Sequence, residues 1–369
     1  MTEKERQKLS GGIETTSRSD WRSSHGCLSV SEPVDTGESI SELLEDLYNN
    51  QTYYGGKMIQ SKDIIDVGHA DSPQTPSVPF ARLRAIARKL GLSKLKQWYF
   101  LTKYRSVQCY EANIDGVKLK FSTDDPYSKL WFFPRYDGGK LHEEPMTRLL
   151  IADLAHARCF VDCGANIGWY TCVADKFIKD GRVYGFELDD LNYEILSKNV
   201  SMNNCQNVQI FRAAVTDKPG QVTYVRDAKT PRFALHISSA AHNAQKGKEI
   251  AVEAISFDTF FQDKEIKPDV LKIDVEGAEM HVLRGMKEIL KNQSPTLFLE
   301  VHPEELLTFN SSVDEVMSVL FENGYDVYST ELYTISEMNR GYTVSEKLEK
   351  LTKDTIPTTR TMLYVCKGT

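Results

Sequence analysis

A glycine-punctuated turn after a short apolar run is the first stretch of the chain with the means to bind a ligand. Residues 161–168 read VDCGANIG, in which Gly164 and Gly168 allow a tight turn and a close approach to the backbone. Asn166 tolerates a left-handed backbone better than most residues. The next predicted strand ends at Glu187, whose carboxylate can accept hydrogen bonds from both hydroxyls of a ribose. Strand, glycine turn, helix, strand and terminal acid in this order predict a nucleoside site.

Asp162, just ahead of the turn, indicates which nucleoside. A carboxylate here would repel a pyrophosphate but suits a ligand with an ammonium or sulfonium charge. The G-x-G-x-x-G spacing of dinucleotide sites is also missing, because Asn166 stands where a second glycine would be. S-adenosylmethionine carries both positive charges and a ribose, so the sequence favours this methyl donor over NAD.

Polar residues at the ends of two later predicted strands are the candidates for catalysis. KIDVEGAE places Asp274 at a strand tip and Glu276 on the turn that follows. LEVHPEE places Glu300 and His302 two residues apart, on one side of an extended chain. We expect these four side chains to converge beside the donor.

Three roles are open to these four residues. The preferred interpretation makes His302 a general base oriented by a carboxylate, because imidazole titrates near the operating pH. Alternatively, Asp274, Glu300 and His302 ligate a divalent cation such as Mg²⁺, which acidifies a substrate hydroxyl. In the third interpretation Glu276 and Glu300 only complement helix N-termini. Glu279, one helical turn further on, faces either the same cleft or solvent. Because base catalysis is preferred, no residue is assigned as a metal ligand.

From Cys159 onward, short apolar strands alternate with longer amphipathic helices, a pattern typical of βαβ crossovers and a parallel sheet. The predicted strands are 159–163, 182–187, 207–213, 270–274 and 296–301. The predicted helices are 168–178, 190–202, 277–291 and 312–323. Strands at 324–330 and 361–367 form an expected antiparallel pair, as do 220–225 and 250–256, which flank a polar insertion. The prediction is a doubly wound α/β domain.

Composition divides the chain into three parts. Residues 1–79 are predicted to be a largely disordered or weakly structured extension and linker. Residues 80–150 form a basic helical segment and a β-hairpin cap around Asp115-Gly116, and 151–369 form the donor-binding domain. The segment 81–105 has eight Lys or Arg and no acid. It either contacts an anionic membrane surface or an acidic partner, or packs on the main domain as an ordinary helix pair, which we prefer.

The bulk numbers suit a soluble enzyme. The 369 residues are 41% hydrophobic and 26% charged, and the net charge of −7 argues against nucleic-acid binding. No run approaches the roughly 18 apolar residues of a membrane span, and the first residues lack a signal-peptide core. We therefore expect a cytoplasmic location, with peripheral membrane contact as the variant. Seven scattered cysteines without a CxxC pair predict reduced thiols.

Six stretches of the chain occur together in an order that resembles a known family. They are FVDCGANIGWYT, VYGFELDDLNYEILSKNV, AAVTDKPG, ISFDTFF, DVLKIDVEGAEMHVLRGM and LFLEVHPEEL, over roughly residues 140–330. In this combination the chain resembles the FkbM family of S-adenosylmethionine-dependent methyltransferases. The resemblance implies a class I methyltransferase fold, which is Rossmann-like, with a mostly parallel seven-stranded sheet whose last strand is antiparallel.

The resemblance also implies a set of donor-binding residues. Asp162, Gly164, Asn166 and Gly168 would line the methionine end, Glu187 would take the ribose, and Asp217 would lie near the adenine amino group. The full predicted set is Asp162, Gly164, Ala165, Asn166, Gly168, Glu187, Leu188, Asp217 and Asp274.

The expected activity is O-methylation of a hydroxyl on a sugar, glycan or polyketide-like acceptor. Two other classes stay open, an NAD-linked oxidoreductase and a non-catalytic methyltransferase-like scaffold. The missing dinucleotide spacing counts against the first, and the intact donor motif counts against the second.

Overall fold

The computed structural model describes residues 51–54, 57–60, 92–123, 125, 128–132, 136, 141–226, 248–330 and 348–368. In these ranges the strands are β1 (Gln51–Tyr54), β2 (Lys57–Gln60), β3 (Cys109–Ile114), β4 (Val117–Ser122), β5 (Cys159–Cys163), β6 (Arg182–Glu187), β7 (Val208–Val215), β8 (Gly220–Arg226), β9 (Lys248–Ile255), β10 (Val270–Ile273), β11 (Thr296–Val301), β12 (Tyr325–Thr330), β13 (Leu348–Lys350) and β14 (Thr361–Lys367). The α-helices are α1 (Leu92–Lys103), α2 (Glu144–Leu154), α3 (Trp169–Phe177), α4 (Asp190–Met202), α5 (Phe257–Phe261), α6 (Glu279–Arg284), α7 (Lys287–Asn292), α8 (Pro303–Thr308) and α9 (Val313–Glu322).

One large sheet organises the molecule, with the strand order β13-β12-β14-β11-β10-β5-β6-β7-β9-β8. Strands β5, β6, β7, β10 and β11 are parallel, whereas β14 runs antiparallel to both β11 and β12. The predicted α/β fold with an antiparallel last strand is therefore confirmed. The seven expected strands form the middle of a ten-stranded sheet, which β8, β9 and β13 extend at its edges.

The strand order reverses between β5 and β10, which are neighbours although the chain reaches β10 only after β6 to β9. Adjacent crossovers leave this point in opposite directions, so a crevice opens at the carboxyl ends of the two strands. All five residues of β5 and all four of β10 are buried, because helices cover both faces. The crevice thus lies between rigid elements.

The helix predicted over 277–291 is in fact two short helices, α6 and α7, which are separated at Gly285. At this residue the backbone passes so close to another loop that a Cβ atom would lie 2.1 Å from the carbonyl oxygen of Thr216. That close approach is a tertiary contact, which helical periodicity does not reveal.

The predicted hairpin cap is present as β3 and β4, which pair in antiparallel register. Asp115 and Gly116 have φ values of +51° and +88°, the left-handed backbone that their types favour. The ring of Phe121 on β4 stacks on Trp169 at 4.9 Å between centroids. The cap therefore packs against the start of α3, the helix that follows the donor turn.

Parts of three sequence predictions fall outside the described residues. In the extension 1–79 the described strands are β1 and β2, an antiparallel pair, and most of the insertions 226–249 and 331–360 is not described. Cys109 is disulfide-bonded, so the prediction of reduced thiols is wrong at that residue, whereas five other cysteines are free. Among the described residues, none of the helices has the length and apolar character that crossing a bilayer requires.

Candidate functional site

The donor turn leaves β5 in a conformation that only glycine takes without strain. Gly164 and Gly168 have φ values of +82° and +86°, and Asn166 has +50°. A Cβ atom on Gly164 would lie 1.8 Å from the carbonyl oxygen of Asp274, so β5 and β10 meet here backbone to backbone. The amides of Gly164 and Ala165 both donate to the carbonyl of Phe186, which ties the turn to β6. The glycines predicted from the sequence are required by this geometry.

Glu187 ends β6 beside the turn and is held by two backbone amides. Asn166 donates to Oε2 at 2.8 Å, and Asp189 donates to Oε1 at 2.9 Å. Each carboxylate oxygen has a second lone pair, so one acceptor position remains on each for a vicinal diol. Burial raises the pKa of Glu187 to about 7, in spite of these bonds. Leu188, the next residue, is half-buried against a small apolar cluster.

Asp162 lies beneath the turn and has no exposed surface. Its Oδ2 accepts a hydrogen bond from the hydroxyl of Thr171 at 2.6 Å, and its Oδ1 lies 3.9 Å from the ammonium of Lys272. Burial raises the pKa of this carboxyl, and Lys272 opposes the change. Direct contact of Asp162 with the methionine end of a donor remains a prediction.

Asp217 lies beyond β7, where adenine was expected. Its Oδ1 is 3.5 Å from Nδ1 of His281 on α6, and both side chains are about one-third exposed. The contact with adenine stays a prediction.

Lys272 is a site residue that the sequence analysis missed. It is the third residue of β10, and its side chain is only 6% exposed. Its Nζ donates to the carbonyl of Gly164 at 3.1 Å and to Oδ2 of Asp274 at 3.2 Å. Burial lowers the pKa of Lys272, but Asp274 and Asp162 outweigh it and hold the pKa above its usual value. Lys272 therefore links the donor turn to the tip of β10.

His302 stands between β11 and α8, and the four predicted catalytic side chains do converge around it. Its Nε2 lies 3.3 Å from Oε2 of Glu276 and 3.8 Å from both Oδ1 of Asp274 and Oε1 of Glu300. His302 is 1% exposed, and its Nε2 makes no hydrogen bond. Burial lowers the pKa of His302, but Glu276 and Glu279 outweigh it and raise the pKa to about 10.

Glu279, whose direction the sequence left open, faces this cluster and has no exposed surface. Its Oε1 lies 2.7 Å from Nδ1 of His302 and also accepts the amide of Gly277 at 2.8 Å. Because the pKa of His302 is about 10 and Oε1 of Glu279 also accepts the Gly277 amide, Nδ1 donates this hydrogen bond. Glu279 thus fixes the orientation of the imidazole.

Arg360 is the second residue that the sequence analysis missed. Its Nε pairs with Oε1 of Glu300, and its Nη2 lies 3.1 Å from Oε1 of Glu276. Because Thr361 pairs with Val301 across β14 and β11, Arg360 comes to lie beside the end of β11. The guanidinium thus anchors two of the predicted catalytic carboxylates.

The carboxylates of the cluster differ in how readily they ionise. Burial raises the pKa of Glu276 to about 7 and also raises that of Glu300. Burial acts in the same direction on Asp274, but Lys272, His302 and Arg360 outweigh it, so the pKa of Asp274 lies below its usual range. Asp274 is therefore ionised at neutral pH.

One group of atoms in the cluster has the spacing of a metal site. Asp274, Glu276 and His302 each offer one ligand atom, and these atoms all lie within 4.8 Å of one another. The ligand set predicted from the sequence has Glu300 in place of Glu276. Glu300 is instead paired with Arg360, which leaves Glu276 on the side of His302 Nε2.

The described part of the basic segment is α1 and the residues after it. Phe100 and Tyr104 are buried, which agrees with packing on the main domain. Trp98 is 63% exposed and Leu101 38% exposed, so an apolar face remains in contact with solvent.

Known proteins resemble the region that carries this site. Residues 162–327 match the model of the methyltransferase FkbM domain. The chain is 24% identical to the hexuronic acid methyltransferase AglP of Haloferax volcanii over 212 residues, which cover 57% of this chain and 82% of that protein. It is 27% identical to the methyltransferase sdnD of Sordaria araneosa over 37% of this chain, and spans 64% of that protein. Among solved structures, an S-adenosylmethionine-dependent O-methyltransferase from Thermotoga maritima aligns with a TM-score of 0.35 and 12% identity, over 70% of this chain and 77% of that one.

Proposed function

Because residues 162–327 are a methyltransferase FkbM domain in an S-adenosylmethionine-dependent methyltransferase, we propose that the chain methylates a hydroxyl oxygen of a sugar or glycan. The observation that carries the proposal is that two groups of polar side chains lie at the carboxyl ends of neighbouring parallel strands. On one side, the carboxylate of Glu187 lies beside the glycine turn, with one acceptor position left on each oxygen. On the other, acids and His302 gather at the tips of β10 and β11.

The charge of the crevice fits a cationic donor. Five carboxylates face three cationic side chains within the ion-pair network around β10 and β11. The carboxylates belong to Asp162, Asp274, Glu276, Glu279 and Glu300, and the cations to Lys272, His302 and Arg360. Excess acid favours a sulfonium and opposes a pyrophosphate. This balance supports S-adenosylmethionine over NAD as the ligand.

A hydroxyl acceptor fits the acidic side of the crevice. Methyl transfer breaks the sulfonium S–CH₃ bond and forms an O–CH₃ bond, so the donor becomes a thioether and the hydroxyl proton must leave. A carboxylate acceptor makes less demand on such a cluster, because it is already ionised and has no proton to lose. The similarity to a protein named as a hexuronic acid methyltransferase supports a sugar as the carrier of the hydroxyl.

The experiment is transfer of a labelled methyl group from S-adenosylmethionine to a panel of acceptors. The panel holds neutral hexosides, hexuronosides, a hydroxylated polyketide and an aminosugar. We expect label on a glycoside, in a bond that survives alkaline hydrolysis, as a methyl ether does and a methyl ester does not. Glu187→Ala is the control for donor binding.

Label on nitrogen, or label that alkali releases, would contradict hydroxyl methylation and leave the donor assignment intact. Donor binding without turnover on any acceptor would favour the scaffold alternative. Hydride transfer with NAD would favour the oxidoreductase.

A further inference from the structure

We propose that Asp274, Glu276 and His302 bind a divalent cation of the Mg²⁺ or Mn²⁺ class, and that this cation binds the acceptor hydroxyl. That the cation binds the acceptor hydroxyl rests on the proposed function. That a cation binds at all rests on the geometry of three side chains.

The imidazole is already oriented as a ligand. Oε1 of Glu279 accepts a hydrogen bond from Nδ1 at 2.7 Å and another from the amide of Gly277. A carboxylate behind a histidine in this way sets the tautomer of metal-binding imidazoles and raises their basicity. The opposite nitrogen, Nε2, therefore faces Asp274 and Glu276. It offers its lone pair to a cation that displaces its proton.

Buried atoms without hydrogen bonds gather at this point. Nε2 of His302, which is 1% exposed, and Oδ1 of Asp274 lie 3.8 Å apart, and Oε2 of Glu279 on the Nδ1 side of the imidazole is a third such atom. Buried polar atoms without partners are uncommon and call for a physical explanation. A shared cation would satisfy Nε2 of His302 and Oδ1 of Asp274.

The distances fit neighbouring ligands of one ion. Ligands at about 2.1–2.3 Å from an octahedral ion lie about 3.0–3.3 Å apart when they are adjacent. Nε2 of His302 is 3.3 Å from Oε2 of Glu276 and 3.8 Å from Oδ1 of Asp274. A movement of about half an ångström would bring Nε2 of His302 to the spacing of adjacent ligands with both carboxylate oxygens. All three ligand atoms lie within 4.8 Å of one another.

The same geometry disfavours direct base catalysis by His302. Its Nε2 has almost no surface that a ligand could touch, because the carboxylates of Asp274 and Glu276 stand in front of it. The side chain of Asp274 is 24% exposed and lies nearer the opening. A cation bound between these atoms would be accessible to an acceptor that enters the crevice, whereas the imidazole itself is not.

Glu300 is excluded from this ligand set by its own partner. Arg360 pairs with its Oε1, the oxygen that faces His302. A cation at Glu300 would therefore have to displace a guanidinium. The ion pair of Glu300 with Arg360 therefore favours the proposed site over one built of Asp274, Glu300 and His302.

Methyl transfer to a cation-bound hydroxyl needs no further reactant. A divalent cation lowers the pKa of a bound hydroxyl, whose proton passes to water at the open side of the crevice. The resulting alkoxide oxygen attacks the methyl carbon, the S–CH₃ bond breaks, and its electron pair stays on sulfur.

The test is direct binding of Mn²⁺ to metal-stripped protein, followed by its paramagnetic resonance signal, without donor or acceptor. We expect one saturable site per chain, from which Mg²⁺ in excess displaces Mn²⁺. Glu276→Gln and Asp274→Asn should each weaken Mn²⁺ binding at least tenfold. Glu300→Gln is the matched control in the same cluster and should change binding less than threefold.

A wild-type protein without a saturable site would overturn the proposal, as would equal binding by Glu276→Gln. Stronger loss with Glu300→Gln than with Glu276→Gln would overturn the ligand set. The wild-type titration requires no substitution, so it decides the matter even where a variant fails to fold. Methyl transfer to a hydroxyl without metal binding would leave the proposed function standing, whereas metal binding without such transfer would leave only the cation site.

Discussion

Ionisation of Glu187 should control how tightly the protein binds its donor. The carboxylate has one free acceptor position on each oxygen, and burial raises its pKa to about 7. Ribose hydroxyls are donors, so the ionised form binds them better than the protonated form. About one tenth of the carboxyl is ionised at pH 6 and about nine tenths at pH 8, which predicts a rise in affinity of about tenfold, or 1.4 kcal/mol.

The assay is calorimetric titration with S-adenosylhomocysteine at a series of pH values. This product shares the ribose but has no sulfonium, so it reports the contact with Glu187 without the charge of the methyl donor. Glu187→Gln keeps the shape of the side chain and removes the titration. The variant should bind more weakly at pH 8, with an affinity that does not follow pH around neutrality.

An affinity of the wild-type protein that does not change between pH 6 and pH 8 would contradict this role of Glu187. An equal dependence of affinity on pH in Glu187→Gln would assign the titration to another group.

The raised pKa of Glu187 has a second consequence, for the stability of the protein without ligand. Since burial raises the pKa of Glu187 from 4.5, its contribution to stability is greatest below pH 4.5 and is lost as the pH rises through 7. Glu187→Gln should remove this decline from thermal melts.

Three further predictions concern stability and surface contact. Gly164→Ala should lower the free energy of unfolding by about 3–5 kcal/mol in denaturant titrations, because it adds a collision with a backbone oxygen to the cost of positive φ. Gly116→Ala, with positive φ and open space, should cost only about 1–2 kcal/mol, and equal losses would contradict the steric argument. Lys272→Met should cost about 3–5 kcal/mol because it leaves a buried carboxylate unpaired, whereas Lys118→Met, at an exposed ion pair, should cost less than about 0.5 kcal/mol. If the segment 81–105 contacts anionic membranes, Trp98→Ser should lower cosedimentation with anionic vesicles, and binding to neutral vesicles should be absent for both proteins.

The sequence predicts best what depends on local chemistry. Asp115-Gly116 forms the expected hairpin because a two-residue turn is decided by the residues in it. Glu187 is predictable because the end of an apolar strand fixes where its last side chain lies. The parallel sheet and its antiparallel last strand follow from alternating patterns and the family resemblance.

What depends on contacts between distant segments escapes such prediction. Arg360 reaches Glu300 only through the register of β14 on β11, which no local pattern encodes. Lys272 stands in a buried strand, where a charged residue contradicts the apolar pattern and its partners lie on other elements. Glu279 could face either way, since one helical turn after Glu276 fits both the cleft and solvent. Its hydrogen bond to His302 decides the question.

The central claim, that this crevice holds a sulfonium nucleoside, is tested most directly by calorimetric titration of the wild-type protein with S-adenosylmethionine, S-adenosylhomocysteine and NAD under one set of conditions. We expect saturable binding of both sulfur nucleosides with one site per chain and no binding of NAD. Binding of NAD alone, or of none of the three ligands, would contradict a sulfonium-nucleoside site.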